Sequence, residues 1–215
     1  MPCILPEHKL SYIPVPKIAC TSLKNLFYQI ENGRRFETYQ INGRIRDIHK
    51  LYPSMPFKDL NRTPMADHQR LAVVRDPLSR VLSCYRNRVA EKGALSEARV
   101  GPALAERNLK PDPSLSEFIG AFKRYQRVSP EVMHHSSPLS VFLGTDPSYY
   151  TKIYALSNIG EFVAHVSETV GQQLELEHLQ TGGPKLSVEA DMTEQERAKI
   201  RRIFAEDYQI FGEYF

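Results

Sequence analysis

"YIPVPKIACTSLKNLFYQI", Tyr12–Ile30, decides how the chain is read. An apolar run from Lys9 to Val15 predicts a strand. Leu23, Leu26, Phe27 and Ile30 then recur at i, i+3, i+4 and i+7, one face of a helix, which Asn32-Gly33 ends. A strand that runs straight into a helix start is a natural phosphate loop, because the helix N-terminus exposes unpaired N–H groups and the positive end of its dipole. Yet "PKIACTSLK" contains no glycine. Thr21 and Ser22 offer hydroxyls, Lys17 a charge at the strand end, and Lys24 a second charge one turn into the helix. A triphosphate loop of the GxxxxGK type wraps its phosphates in glycine backbone; this one predicts a cradle for a single phosphate. A lysine beside an ordinary Ser/Thr helix cap would give the same letters.

A second stretch, "LAVVRDPLSRVLSCYRNRV" from Leu71 to Val89, repeats the arrangement. The residues Arg70 to Arg75 predict a strand, Asp76 a helix cap and Pro77 the first helical position. Leu78, Val81, Leu82, Tyr85 and Val89 form the expected buried face, with Ser79, Ser83 and Arg86 on another side. Arg75 presents a guanidinium fork that matches a phosphate, with a serine to complete the grip; a carboxylate partner for Arg75 is the alternative. Using both turns takes a nucleotide with phosphate on its 5′ and 3′ oxygens.

The rest of the chain supports an α/β class with a central, mainly parallel sheet and ligands beyond the carboxyl ends of its strands. A short helix is expected around Ile45 to Leu51. Charged, alanine-rich residues from Glu91 to Pro113 are expected to form a helix followed by a "KPDPS" linker, and "SLSEFIGAFKRYQ" reads as one amphipathic helix. "SPEVMHHSSPLSVFLG" reads as loop and "TKIYAL" as a strand. "SNIGEFVAHVSETVG" is a helix closed by Gly171, and "TGGPKLSVEADM" is loop. Thr193 with Glu196 makes a capping box for a last helix, Glu194 to Glu206, before the aromatic tail "DYQIFGEYF". At 215 residues the expectation is one domain, 1–215. A formal net charge of +3 suits an anionic ligand and lacks the dense basic stripe of a nucleic-acid binder. Cys3, Cys20 and Cys84 form neither a disulfide framework nor a CxxC pair, which points to a reducing compartment. No metal-ligand spacing is present, and no segment approaches the roughly 20 apolar residues of a membrane span.

At these two stretches the chain resembles the carbohydrate sulfotransferases. "PKIACTSLK" is similar to that family's 5′-phosphosulfate loop, and "VVRDPLSRVLSCYRNR" to its 3′-phosphate motif. The likeness is strongest to the subgroup of chondroitin and HNK-1 sulfotransferases and their shorter bacterial relatives. "SLSEFIGAF", "HSSP" (with Ser136 where the family has Trp) and "EDYQIFGEYF" resemble later family motifs. The resemblance implies a P-loop-NTPase-like three-layer fold and transfer from 3′-phosphoadenosine 5′-phosphosulfate (PAPS), without a metal, to a hydroxyl on a glycan or other acceptor. It places Lys17, Ala19, Cys20, Thr21, Ser22, Leu23 and Lys24 around the 5′-phosphosulfate, Arg75 and Ser83 at the 3′-phosphate, and Lys185 on a closing loop. Lys17 is expected to stabilise the bridging oxygen.

The base that accepts the acceptor's proton is open between His135, in the "HSSP" motif, and His49, in "RDIHKLY". His134, His68, Glu31 and Asp67 are weaker choices. The acceptor reading looks to the arginines of "GRRFETYQINGRIR" and "KRYQR", and to Tyr149, Tyr150 and Tyr154 as stacking rings. A cytoplasmic location is expected, with a trimmed Golgi-lumenal domain as the alternative. The rival readings are a small-molecule kinase with a degenerate P-loop and a non-catalytic nucleotide binder on the same fold.

Overall fold

The computed structural model of the chain describes residues 1–177 and 187–215. They form two compact units, Met1–Arg75 with Leu139–Thr181 and Ile210–Phe215, and Asp76–Pro138 with Gly182–Gln209.

The first unit is built on a four-stranded sheet in the order β1 (Cys3–Leu5), β2 (Leu10–Tyr12), β5 (Gln69–Val74), β6 (Lys152–Ala155). β1 pairs antiparallel with β2, while β2–β5 and β5–β6 are parallel, with Tyr12 opposite Leu71 and Leu71 opposite Lys152. This is the mainly parallel sheet that the sequence predicts. Leu71, Ala72, Val73 and Val74 are all fully buried, which is why that strand reads as an unbroken apolar run. Helices α1 (Cys20–Asn32) and α9 (Ile159–Val170) are tied to the sheet through aromatic rings. Tyr12 lies 5.6 Å from Phe27 and 5.5 Å from Phe162, and Phe162 lies 5.5 Å from Tyr154. Each such pair contributes about 0.5–1.5 kcal/mol beyond its burial, so the start of α1 is fixed on a rigid base.

A separate two-stranded ribbon, β3 (Tyr39–Ile41) and β4 (Arg44–Arg46), stands exposed and leads into the short helix α2 (Ile48–Leu51). Its turn is Asn42-Gly43 at φ 51° and 71°, the left-handed pair of a two-residue hairpin. The expected helix around Ile45 to Leu51 is therefore half strand and half helix.

The second unit is helical around its own core, which includes Leu78, Val81, Phe118, Phe122, Tyr125, Ile200 and Phe204. Helix α3 (Pro77–Cys84) starts on Asp76, whose carboxylate accepts from the Ser79 amide at 2.9 Å. The chain then widens into a π-helical stretch, Tyr85–Glu91, before α4 (Glu97–Ala105). "SLSEFIGAFKRYQ" is two helices rather than one, α5 (Leu115–Gly120) and α6 (Phe122–Val128), broken where Ala121 takes φ −119° and ψ 28°. "SPEVMHHSSPLSVFLG" is helical rather than loop: Ser129 caps α7 (Pro130–Ser136), and α8 (Leu139–Leu143) belongs to the first unit. Pro130 sits in the first turn, where its missing N–H costs nothing. After α10 (Val188–Asp191), the capping box at Thr193 opens α11 (Glu194–Ile203) where expected, but the helix stops short of Glu206 because Phe204 takes φ −108° and ψ 23°. The aromatic tail is largely a further helix, α12 (Ala205–Phe211).

Candidate active site

The glycine-free loop makes glycine's turns without glycine. Lys17 takes φ 68° and Ala19 takes φ 46°, both in the left-handed region that costs an L-residue roughly 1–2 kcal/mol. Strain of this kind persists where the surrounding structure imposes it, and it concentrates at functional loops. Ala19 occupies the capping position of α1 and supplies no side-chain cap, although its carbonyl accepts from the Leu23 amide at 3.0 Å. Thr21 and Ser22 therefore lie inside the first helical turn. An ordinary Ser/Thr cap does not describe this start.

Arg75, one residue beyond β5, donates from its guanidinium to the carbonyl of Lys17 at 3.3 Å. The carboxyl ends of two neighbouring parallel strands thus bring the Lys17 turn and Arg75 together. Cys20 is half-buried, while Leu23 and Ser22 are buried.

Lys24 is not a solvent-facing charge. It is fully buried, its Nζ 3.1 Å from His49 Nδ1 and 3.2 Å from Ser54 Oγ. Burial lowers its pKa below the usual lysine range, opposed by nearby Cys20, Cys3 and Asp47. The other ring nitrogen of His49, Nε2, lies 3.0 Å from Thr21 Oγ1. His49 is delivered by α2, whose start is fixed by Asp47 accepting from the His49 and Lys50 amides at 2.9 and 3.0 Å. Ser54 was not singled out in the sequence; it sits in an irregular proline-punctuated segment, with no pattern to mark it.

The remaining candidates are placed as follows. Ser83 is half-buried on α3 of the second unit. His135, on α7 of that unit, donates from Nδ1–H to the Glu131 carbonyl at 2.8 Å, which leaves Nε2 as its proton-accepting nitrogen. His134 is exposed, its ring at 5.1 Å from that of His135. Glu31 accepts a 2.6 Å hydrogen bond from the Tyr52 hydroxyl, and Asp67 pairs with Lys9 at 2.9 Å. His68 is buried. Tyr150 and Tyr154 are buried and belong to the core of the first unit. Lys185 lies outside the described residues. Arg80, which the reading of the motif passed over, is fully buried and donates to the Ser137 carbonyl at 2.9 Å, tying α3 to the residues after α7. Among the described residues, no group of three or more His, Cys, Asp or Glu side chains is arranged to hold a metal, and no helix is long and apolar enough to cross a membrane.

A mainly parallel sheet with a helix start that lacks a side-chain cap, a left-handed lysine turn and an arginine beyond its strands is an α/β arrangement chemically suited to an anion. The model of the sulfotransferase family matches residues 3–214, and the chain belongs to that family. It is similar to the carbohydrate sulfotransferase 11 proteins of Rattus norvegicus and Mus musculus, each 29% identical over 113 residues. These matches cover 48% of this chain and 31% of each relative, so the chain aligns with about a third of their length. No solved structure matches. The kinase and non-catalytic alternatives gain no support from these comparisons.

Proposed function

We propose that the chain, as a single sulfotransferase domain, transfers the sulfuryl group of PAPS to a hydroxyl on a carbohydrate. The observation that carries this reading is the meeting of Arg75 with the left-handed Lys17 turn at an uncapped helix start. The fit to the donor rests on the chemistry of these groups. The first amides of α1, Thr21 and Ser22 supply donors for one phosphosulfate, and there is no glycine-lined space to wrap a triphosphate. Ala19, Cys20 and Leu23 contribute backbone to that turn. Lys17 stabilises charge on the bridging oxygen as the sulfuryl group departs, and Arg75 with Ser83, joined in one motif, binds the 3′-phosphate. Lys185 is kept as a loop contact on its motif position. PAPS itself supplies the activated sulfuryl group.

His135 is assigned as the base for the acceptor hydroxyl on its place in the "HSSP" motif, with its ring oriented by the Nδ1–H bond to the Glu131 carbonyl. His49 has both ring nitrogens engaged by Thr21 and Lys24. The carbohydrate acceptor is supported by the names of the matched relatives. An acidic acceptor is supported by one face of the ribbon, where Tyr39 lies opposite Arg46 and Ile41 opposite Arg44, all exposed. A cytoplasmic location is supported by three cysteines, none of them in a disulfide.

The test is calorimetric titration with 3′-phosphoadenosine 5′-phosphate beside AMP and magnesium-ATP, followed by transfer from radiolabelled PAPS to a panel of glycans. Selective binding of the bisphosphate and label transfer are expected. Preference for ATP, or no bisphosphate binding, would overturn the reading.

A further inference from the structure

The buried Lys24 makes two contacts that determine where protons lie. An ammonium has three donors and no acceptor. At 3.1 Å from His49 Nδ1 it therefore donates, and Nδ1 is the ring's lone pair. The neutral imidazole then carries its proton on Nε2, which donates to Thr21 Oγ1 at 3.0 Å. With its oxygen already accepting, the Thr21 hydroxyl turns its own hydrogen elsewhere, and it does so in the first turn of α1. We propose that Lys24, His49 and Thr21 form a one-directional hydrogen-bond chain, which carries the charge of a buried lysine to the anion at the start of α1. His49 is then a positioning residue rather than the base.

The proposal rests on the reading of that helix start as the donor's anion site. It explains why a lysine of the loop motif points inward: its charge acts through two polarised bonds. It also explains why His49 is a poor base. Taking a second proton would set an imidazolium N–H against the ammonium, two cations in one buried place. The other ionisable groups around the pair are Cys20 on α1, Cys3 on β1, Asp47 capping α2 and the N-terminal amino group of Met1. The Asp47 carboxylate is already occupied by the His49 and Lys50 amides, and Lys50 is the next residue in the chain.

The tautomer is read directly from two-bond proton–nitrogen NMR of the full chain with labelled histidine, the His49 signals being identified by their loss in His49→Gln. The expected spectrum shows His49 as the neutral ring protonated on Nε2, with Nδ1 carrying the lone pair. Protonation on Nδ1 would overturn the chain. The wild-type spectrum decides this, so a Lys24→Met protein that fails to fold leaves the test intact. Where the variants fold, Lys24→Met and Thr21→Val should each weaken binding of 3′-phosphoadenosine 5′-phosphate about ten- to a hundredfold, the range of a charge-assisted hydrogen bond. The double variant should be no weaker than the worse single one; multiplied losses would show independent contacts and refute the chain. Absence of bisphosphate binding by the wild type would instead refute the anion-site reading, whatever the tautomer.

Discussion

Replacing Ala19 by glycine and by valine tests the loop through the order of three stabilities. Ala19 sits at φ 46° and ψ 20°. An alanine held there loses about 1–2 kcal/mol relative to its preferred regions. Glycine escapes that cost but gives up about 0.5–1 kcal/mol of backbone entropy on folding. The balance is a gain of about 0.5–1 kcal/mol for Ala19→Gly. Valine, β-branched, is an outlier at positive φ, and Ala19→Val should lose about 1–3 kcal/mol. With a urea slope of about 2 kcal/mol per molar, the glycine variant should unfold about 0.3–0.5 M later than wild type and the valine variant about 0.5–1.5 M earlier. The order is thus Gly, Ala, Val. Had α1 simply begun one residue sooner in right-handed geometry, glycine would fall about 1 kcal/mol below alanine and become the least stable of the three. That reversed order would refute the left-handed turn. Glycine should also bind the bisphosphate a few-fold more weakly, because the freed loop must be ordered on binding.

Tyr208 donates to Asp76 Oδ1 at 2.7 Å, so Tyr208→Phe should cost about 1 kcal/mol in urea unfolding while the Asp76 cap to Ser79 persists. Burial pushes the Cys3 thiol up from 9.0 to about 12. The unfolded thiol therefore ionises first, and stability should fall as pH rises from about 9, by at most about 1.4 kcal/mol per pH unit. Tyr12 and Tyr150, raised by burial from 10.0, should add to the decline above pH 10. Unfolding curves at pH 7.5, 9 and 10 should show Cys3→Ala declining less steeply than wild type between 9 and 10. The paired substitution Arg44→Ala with Arg46→Ala should raise the KM for an acidic glycan several-fold at low salt and leave stability within about 0.5 kcal/mol. An unchanged KM would take the ribbon out of acceptor binding.

The parallel strands and α1 were legible because their signals are local and redundant. Leu71 to Val74 form an unbroken apolar run, and the face of α1 repeats at helical spacing. The ribbon was legible in principle: Asn42-Gly43 between Ile41 and Arg44 is the strongest short hairpin signal, but the exposure of both strands removed the alternation that usually accompanies it. Helices α7 and α8 were hidden by Pro130 and Pro138. A proline is a helix starter as readily as a breaker, and here Pro130 follows the capping Ser129. The break at Ala121 was marked only by Gly120 before it, a weak signal because an isolated glycine inside a helical pattern is tolerated. At the candidate site, the residue types were readable and their directions were not. Lys24 reads as a second phosphate lysine from its place in the loop. Only the packing of α2, delivered from 25 residues further along, shows that its head meets His49. Arg80 reads as one more cation on a basic helix until the carbonyl of Ser137 is placed against it.

The absence of glycine then has a physical account that neither the motif nor the helix dipole supplies alone. The loop needs a left-handed residue at position 17, and the chemistry proposed for it needs a cation there; no residue is both glycine and lysine. The sequence places lysine in the strained conformation, at about 1–2 kcal/mol. Arg75 offsets that strain by donating to the carbonyl of the same residue at 3.3 Å, a charged hydrogen bond at the long, weak end of a range near 1.5–3 kcal/mol. The two terms are of one size, so the turn is held without a large net cost as long as Arg75 is present. It follows that Arg75→Ala should weaken the loop even before any nucleotide is added, and Lys17→Gly should restore the stability of that variant without restoring transfer. If Lys17→Gly left an Arg75→Ala protein as unstable as before, the strain at Lys17 would not be what Arg75 balances.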